Sequence, residues 1–475
     1  MPTQLDDVLA VLLDPRLGHV VDLVVWPLGD GVVGVGNAAG RASLEAEQVR
    51  VLSGQNPLAD TDPLAAADPA AERSDPHPPN ARNSYPFAGQ RLRGLFSDAG
   101  RSPDLVVVHS DAHYWPERGG HLGEHGSLSV RQSRAPFVLS GAGVRRRGLL
   151  AQTARVVDVC PTLLHAAGAP RPTGLDGEPR TDLVDPAARH VVGLLWDGAN
   201  AAALLEGARR GELPAVARLL RRGLALTGGA IAEFPSVTLV NHTSALTGVS
   251  PWRHGIVHNE FFDRDRGCSV FANDASTWHT ACELLRPGVR TIWELAGGLS
   301  TACVNEPIDR GADYSTFGLI RAAGHTDGAR TMGAGLPAAA SDPHADQTWV
   351  SADPAYAWST QIDAAGLAQV LAIWEQAEPP ALTWWNTTVT DSGHHGGGAH
   401  SPEAAASLRD ADARLGVFLD MLESRGLLES TTILLTADHG SVAADPACRG
   451  DWDEALAAVG LQVRDEGYGF LYLGA

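Results

Sequence analysis

Short apolar runs that each close on a polar or acidic residue recur along the chain, at residues 22–28, 104–110, 135–140, 191–197, 381–386 and 431–438. Their length and their Val and Leu content fit buried strands. Helix-period patterns stand between several of them, at 154–167, 215–222 and 401–424. Strands alternating with helices predict an α/β fold with a largely parallel sheet covered on both faces. In such sheets chemistry gathers at the carboxyl ends of the strands, and most of the notable Asp and His residues fall there.

Two stretches break the pattern. Residues 54–86 hold seven prolines among Asp, Ala, Ser and Asn without any period, and read as a long flexible loop. Residues 182–190 read as a short polar connector. The net charge of −20 argues against a nucleic-acid polymer or an anionic membrane as partner, because both reward clustered Lys and Arg. A small phosphate substrate is still compatible, since bound cations reverse the local field. The cysteines Cys160, Cys268, Cys282, Cys303 and Cys448 are scattered, which suggests neither a disulfide framework nor a thiolate zinc site. Residues 1–14 lack a signal-peptide pattern, and no apolar run reaches the ~18 residues of a membrane span. A soluble, cytoplasmic protein is the expectation.

Four patches can carry chemistry. Asp197 ends an apolar run and precedes Gly198; alone, such an Asp is as well explained as a turn or helix cap. Asp391 and His395 form an Asp-x-x-x-His pair after a Trp- and Thr-rich run, where a polar loop is the plain alternative. Asp438-His439-Gly440 closes the run that starts at Thr431, and neighbouring side chains there can share a metal only if the backbone turns, as Gly440 permits. His121 and His125 lie in a Gly-rich stretch. With one of those two, the patches supply three carboxylates and three imidazoles, a donor set that suits zinc and tolerates manganese. Two such ions about 4 Å apart stabilise the attacking and leaving oxygens of an in-line displacement. Thr238 would start a helix entered through Pro235-Ser236 and left at Thr247-Gly248. Free N–H groups there favour a phosphoryl anion.

These patches resemble the alkaline phosphatase superfamily, most closely its nucleotide pyrophosphatase/phosphodiesterase and phosphonoacetate hydrolase branches. The resemblance rests on Thr238 standing nine residues before Thr247-Gly248, on His254-Gly255-Ile256-Val257-His258-Asn259, on Asp391 with His395, on Asp438-His439-Gly440, and on His125-Gly126 ahead of Pro136-Phe137. It favours His125 over His121. It implies an alkaline-phosphatase-like central sheet with a smaller inserted region. It further implies that Asp391, His395 and His125 hold one metal, while Asp197, Asp438, His439 and Thr238 hold the other. Thr238 would be the nucleophile, and Asn259 would donate to a phosphoryl oxygen. His242, His254, His258 and His394 are left to packing or to contacts behind the ligands.

The order of the motifs departs from that family, in which the last metal His follows the Asp-His-Gly. Here His125 precedes everything else. Residues 1–186 therefore resemble the family's C-terminal part and 190–475 its N-terminal and middle part, in a circularly permuted order that makes one catalytic domain. This predicts that His125 lies beside Asp391 and His395, and that the 104–110 strand shares a sheet with 191–197 and 431–438. The function implied is metal-dependent hydrolysis of a small phosphodiester or pyrophosphate, with two divalent ions and a threonine nucleophile. Phosphomonoester or phosphonate hydrolysis is the nearest alternative, and a phosphate mutase a further one. A sulfatase lacks its Cys- or Ser-x-Pro-x-Arg signature here. A non-catalytic relative would have lost ligands, yet every expected position is filled. Residues that grip the leaving group are expected in insertions such as 260–351.

Overall fold

The strand His190–Trp196 is buried at every position, as a strand covered on both faces must be. It pairs in parallel with Leu382–Thr387 on one side and with Thr431–Thr436 on the other. The computed structural model describes residues 2–324 and 354–474, and among them these three strands form the middle of an eight-stranded sheet. Outward from Leu382–Thr387 come Thr301–Val304 and Tyr314–Ser315, both parallel. On the other flank Phe137–Gly141 runs antiparallel to Thr431–Thr436 and to Gly223–Leu226, and Gly148–Leu150 closes the edge. Close packing of the central strands depends on Gly193, where an added Cβ would stand 2.4 Å from the Trp384 ring.

The covering helices carry the ends their sequences announce. Ser401 caps Pro402–Ser424 by accepting from the Ala404 N–H, with Pro402 in the first turn. Asn200 caps Ala201–Arg210, and Gly211 at φ 79° ends it. The expected helix at 154–167 starts later than its pattern: Ala154–Arg155 is a short strand, Val156–Asp158 a tight turn, and the helix spans Val159–Ala166. No helix among the described residues is long and apolar enough to cross a membrane.

A second sheet of seven strands holds both ends of the chain. The hairpin Val21–Gly29 to Val32–Asn37 turns on Asp30-Gly31, both at positive φ, the geometry an Asp-Gly turn favours. Leu105–His109 pairs antiparallel with Val21–Gly29 and with Phe470–Leu473. The 104–110 strand therefore leaves the central sheet it was expected to join. A fully buried apolar run fits either kind of sheet, and here antiparallel neighbours decide its place. Conversely, Thr301–Val304 lies in the central sheet although 260–351 was read as an insertion. Residues 54–86 are tied down rather than loose. They hold the helix Pro69–Ser74, and Arg134 donates to the Pro63 and Ala66 carbonyls at 2.8 and 2.9 Å.

Val8, Leu12, Trp26, Trp115, Trp452 and Leu456 share one core under the second sheet. Trp452 also donates from Nε1 to Asp465 Oδ2 at 3.0 Å. Trp452→Ala should lower unfolding stability by about 3–5 kcal/mol, read from the urea midpoint; an unchanged midpoint would show that the two chain ends do not stabilise each other.

Candidate active site

Parallel pairing aligns the carboxyl ends of three neighbouring strands, and the acidic residues follow directly. Asp197 comes one residue after His190–Trp196, and Asp438 two after Thr431–Thr436. Asp391 and His395 stand after Leu382–Thr387, four residues apart on the helix Val389–Gly397 and so on one face of it. That stretch is helical where a loop was the plain alternative. Gly440 serves differently from the turn expected of it: its φ is ordinary, and an added Cβ would lie 2.5 Å from the Arg131 carbonyl oxygen.

His125 arrives from far away in sequence. Its Nε2 lies 3.3 Å from His395 Nε2 and 3.9 Å from Asp391 Oδ1, and His395 Nε2 lies 3.4 Å from Asp391 Oδ2. Ligands about 2.1 Å from a tetrahedral zinc sit roughly 3.4 Å apart, so this triangle has the dimensions of a cation site. Next to it, His439 Nε2 is 3.1 Å from Asp438 Oδ2, 3.8 Å from Asp197 Oδ1 and 3.4 Å from Thr238 Oγ1. His121 stays at the rim, its ring 4.3 Å from that of His395 and its side chain 43% exposed.

The three imidazoles are held in one way. His125 Nδ1 contacts the Ser236 carbonyl at 3.1 Å, His395 Nδ1 that of Gly123 at 2.8 Å, and His439 Nδ1 that of Gly440 at 2.9 Å. A carbonyl can only accept, so each Nδ1 carries a proton and Nε2 is the atom that faces the cluster, with a lone pair to offer whenever the ring is neutral. Asp197 Oδ1, Asp391 Oδ1 and Asp438 Oδ2 are buried there without a hydrogen bond. Burial, together with the Asp438 and Asp391 carboxylates, pushes Asp197 well above the usual carboxylate range. Bare acceptors and mutually repelling carboxylates in a buried pocket are the signature of a cation-binding centre, and the residues present fit divalent metal ions.

His242, left without a role by sequence reasoning, joins this centre. Its Nε2 lies 3.7 Å from Asp197 Oδ2 and 3.6 Å from Asp438 Oδ2, while its Nδ1 contacts Glu306 Oε2 at 2.8 Å. Trp384 Nε1 donates to the same Glu306 oxygen at 3.0 Å. The available signal was its place four residues after Thr238, one turn along the same helix face. Glu306 gave none: it lies in the loop after Thr301–Val304, within the stretch read as an insertion. Ser236 is spent on structure, donating to the Ser127 carbonyl and accepting from the Gly126 N–H. Asn259 Oδ1 accepts from the Leu239 N–H at 2.9 Å, at the start of the helix Thr238–Thr247. His254 and His394 are buried, bonded to the Ser244 hydroxyl and the Thr390 carbonyl, while His258, also buried, lines the cavity of Thr238. Arg253 turns aside to Asp176 and the Gly174 carbonyl.

The family described as Type I phosphodiesterase / nucleotide pyrophosphatase matches residues 191–474, well over half of the chain. The chain belongs to that family. Membership places it in the alkaline phosphatase superfamily, and all the family-like site residues except His125 lie within the match. Alkaline phosphatase PafA of Elizabethkingia meningoseptica is 32% identical over 105 residues, 22% of this chain and 19% of that protein. The chain spans less than a fifth of the length of the relatives it matches in sequence. Among solved structures, murine ectonucleotide pyrophosphatase/phosphodiesterase 5 in complex with AMP is 18% identical with a TM-score of 0.36, over 53% of this chain and 57% of that one. Phosphonoacetate hydrolase from Sinorhizobium meliloti 1021 is 22% identical with a TM-score of 0.35, over 56% and 59%.

Gly198 sets the family-like centre's spacing. It holds φ 64°, and an added Cβ would meet Asp391 Oδ1 at 2.6 Å. Gly211 has the similar φ of 79° with open space around it. Gly198→Ala should therefore lower the thermal midpoint by several degrees more than Gly211→Ala, since only the first adds crowding to the shared backbone cost of ~1 kcal/mol. Equal shifts in differential scanning fluorimetry would remove Gly198 from the site's architecture.

Proposed function

We propose that this chain hydrolyses a phosphodiester or pyrophosphate, with Thr238 as nucleophile and two divalent cations, zinc or manganese, as cofactor. The observation that carries the reading is the Thr238 hydroxyl, half-buried at a helix start, 3.4 Å from His439 Nε2. It borders both the cavity of Asp391, His395 and His125 and the smaller one of Asp197 and His242. Asp391, His395 and His125 would hold one cation, and Asp197, Asp438, His439 and the Thr238 oxygen the other. When bound, such a pair supplies positive charge against the attacking and leaving oxygens.

The remaining work belongs to the chain. The start of the helix Thr238–Thr247 favours a phosphoryl anion beside Thr238. With Oδ1 committed to Leu239, the Asn259 amide presents its NH₂ to a non-bridging oxygen. A bond then forms from Thr238 Oγ1 to phosphorus as the ester bond breaks, the hydroxyl proton passes to solvent and the displaced alkoxide takes up a proton and leaves as the alcohol; water later hydrolyses the Thr238–phosphorus ester and restores the hydroxyl. No Lys or Arg stands among the described residues lining the main cavity. A dianionic monoester would bring one more negative charge than a diester, with no Lys or Arg among the described lining residues to add to the two cations, which favours a diester over the phosphomonoesterase reading.

We also read residues 1–186 as the family's C-terminal part placed first, and 190–475 as its N-terminal and middle part. The family match begins at residue 191, while His125 and the strand Phe137–Gly141 complete the centre and the sheet from outside it. One chain therefore holds every ligand the reaction needs.

Chelation should abolish hydrolysis of bis(p-nitrophenyl) phosphate, and added zinc or manganese should restore it. Thr238→Ala should lower kcat by roughly three orders of magnitude or more with metal content and folding retained. Full turnover in the chelated protein, or near-normal turnover by Thr238→Ala, would contradict the reading.

A further inference from the structure

A second cavity, of about 520 Å³, lies at the outer edge of the central sheet, where Gly148–Leu150 has no strand beyond it among the described residues. It is framed by that strand, by the helices Ala201–Arg210 and Pro214–Arg222, and by residues 67–70. It shares no lining residue with the cavity of Thr238. Its volume falls in the range of small-molecule sites, roughly 300–1,000 Å³. Leu149, Leu205, Ala217 and Leu220 give it an apolar lining. Leu149 is 61% exposed, an apolar side chain left at the opening with nothing over it.

The charge around this cavity runs against the net −20 of the chain. Arg134, Arg209 and Arg221 line it, with Asp68 and Glu206 as its acids. Both acids are committed elsewhere. Asp68 Oδ1 accepts from the Ala70 N–H at 2.9 Å, at a helix start. Glu206 is met by Arg73 at 2.8 Å, Arg210 at 3.1 Å and Arg209 at 3.7 Å, three guanidiniums on one carboxylate. Arg221 has no ion pair among the described residues, and Arg147 donates to its carbonyl at 3.2 Å, which brings a further guanidinium to that backbone. Arg134 is buried and donates only to carbonyls, which are dipoles and do not neutralise it, and its Nε has no partner. Positive charge bordering an apolar slot is complementary to an anion that carries an apolar tail.

We propose that this cavity binds a long-chain carboxylate. The carboxylate pairs with the exposed Arg221, Arg209 and Arg134 add to the field, and the alkyl chain lies against Leu149, Leu205, Ala217 and Leu220. A neutral alkyl chain would account for the slot but not for the guanidiniums. An inorganic anion would account for the guanidiniums but not for the slot.

Isothermal titration calorimetry on the zinc-loaded protein with decanoate, dodecanoate and decanol tests this. Decanoate should bind once per chain, and dodecanoate about fifteenfold tighter, a factor of about four for each buried methylene. Decanol should bind about tenfold or more weaker than decanoate, and high salt should narrow that gap. Arg221→Gln should remove most of the gap and leave decanol unchanged. Leu149→Glu, at an exposed position, should weaken decanoate about tenfold. Chelation of the metal should change none of these affinities. Equal affinity for decanoate and decanol, or decanoate binding untouched by both variants, overturns the proposal. Decanoate binding that vanishes on chelation places the carboxylate on the metal ions and overturns it too. A concentration-dependent dimer that Leu149→Glu breaks, with no decanoate bound, gives the cavity to a second copy of this chain and equally overturns it.

Discussion

Asp197, Asp391 and Asp438 converge at the carboxyl end of the central sheet, Asp197 and Asp438 buried and Asp391 partly exposed at the cavity. Like charges in that setting cannot all remain ionised unless something positive joins them. Much of the local architecture answers this constraint. Three histidines are turned by backbone carbonyls so that their Nε2 atoms face the carboxylates, and His242 is braced between Glu306 and two of the acids. The convergence itself follows from parallel pairing: one register brings the ends of three strands level, and each chain segment leaves its strand through an Asp.

Residues 190–475 do not make the whole Asp and His cluster, since His125 joins it. His125 reaches it because Phe137–Gly141 is hydrogen-bonded into the central sheet beside Thr431–Thr436. The two-residue ladder between Gly123–Glu124 and Val442–Ala443 then fixes the approach of His125 towards His395. The second sheet closes the arrangement, with Phe470–Leu473 and Val21–Gly29 flanking Leu105–His109. That sheet also supplies the Tyr468 turn to the cavity beside Thr238, so packing of the chain ends and shaping of that cavity are one construction.

The six apolar runs were legible as strands, and the helix at Thr238–Thr247 was legible from its entry and exit residues. Which sheet each strand joins was not legible: a run such as Leu105–His109, apolar at four of five positions, carries no mark of its neighbours' direction. The Asp and His positions stood out only as a set, since an Asp that ends an apolar run is alone as well explained as a turn or helix cap. His242 did not stand out, because an imidazole inside a buried helix looks the same whether it packs or braces a carboxylate. Glu306 was hidden by a four-residue strand too short to signal itself against the surrounding region. The pairing of Glu260 with Phe271, both lining the cavity of Thr238, was reached only as an expectation that leaving-group contacts lie beyond residue 260, since it depends on register.

The central claim is that one chain assembles two neighbouring cation sites from both of its halves. Anomalous diffraction at the zinc edge, on crystals of the zinc-loaded protein, tests it most directly. The account predicts two peaks about 4 Å apart, one within bonding distance of His125, Asp391 and His395, the other of Asp197, Asp438 and His439. A single peak, or His125 bonded to no ion shared with Asp391 of the same chain, would contradict it.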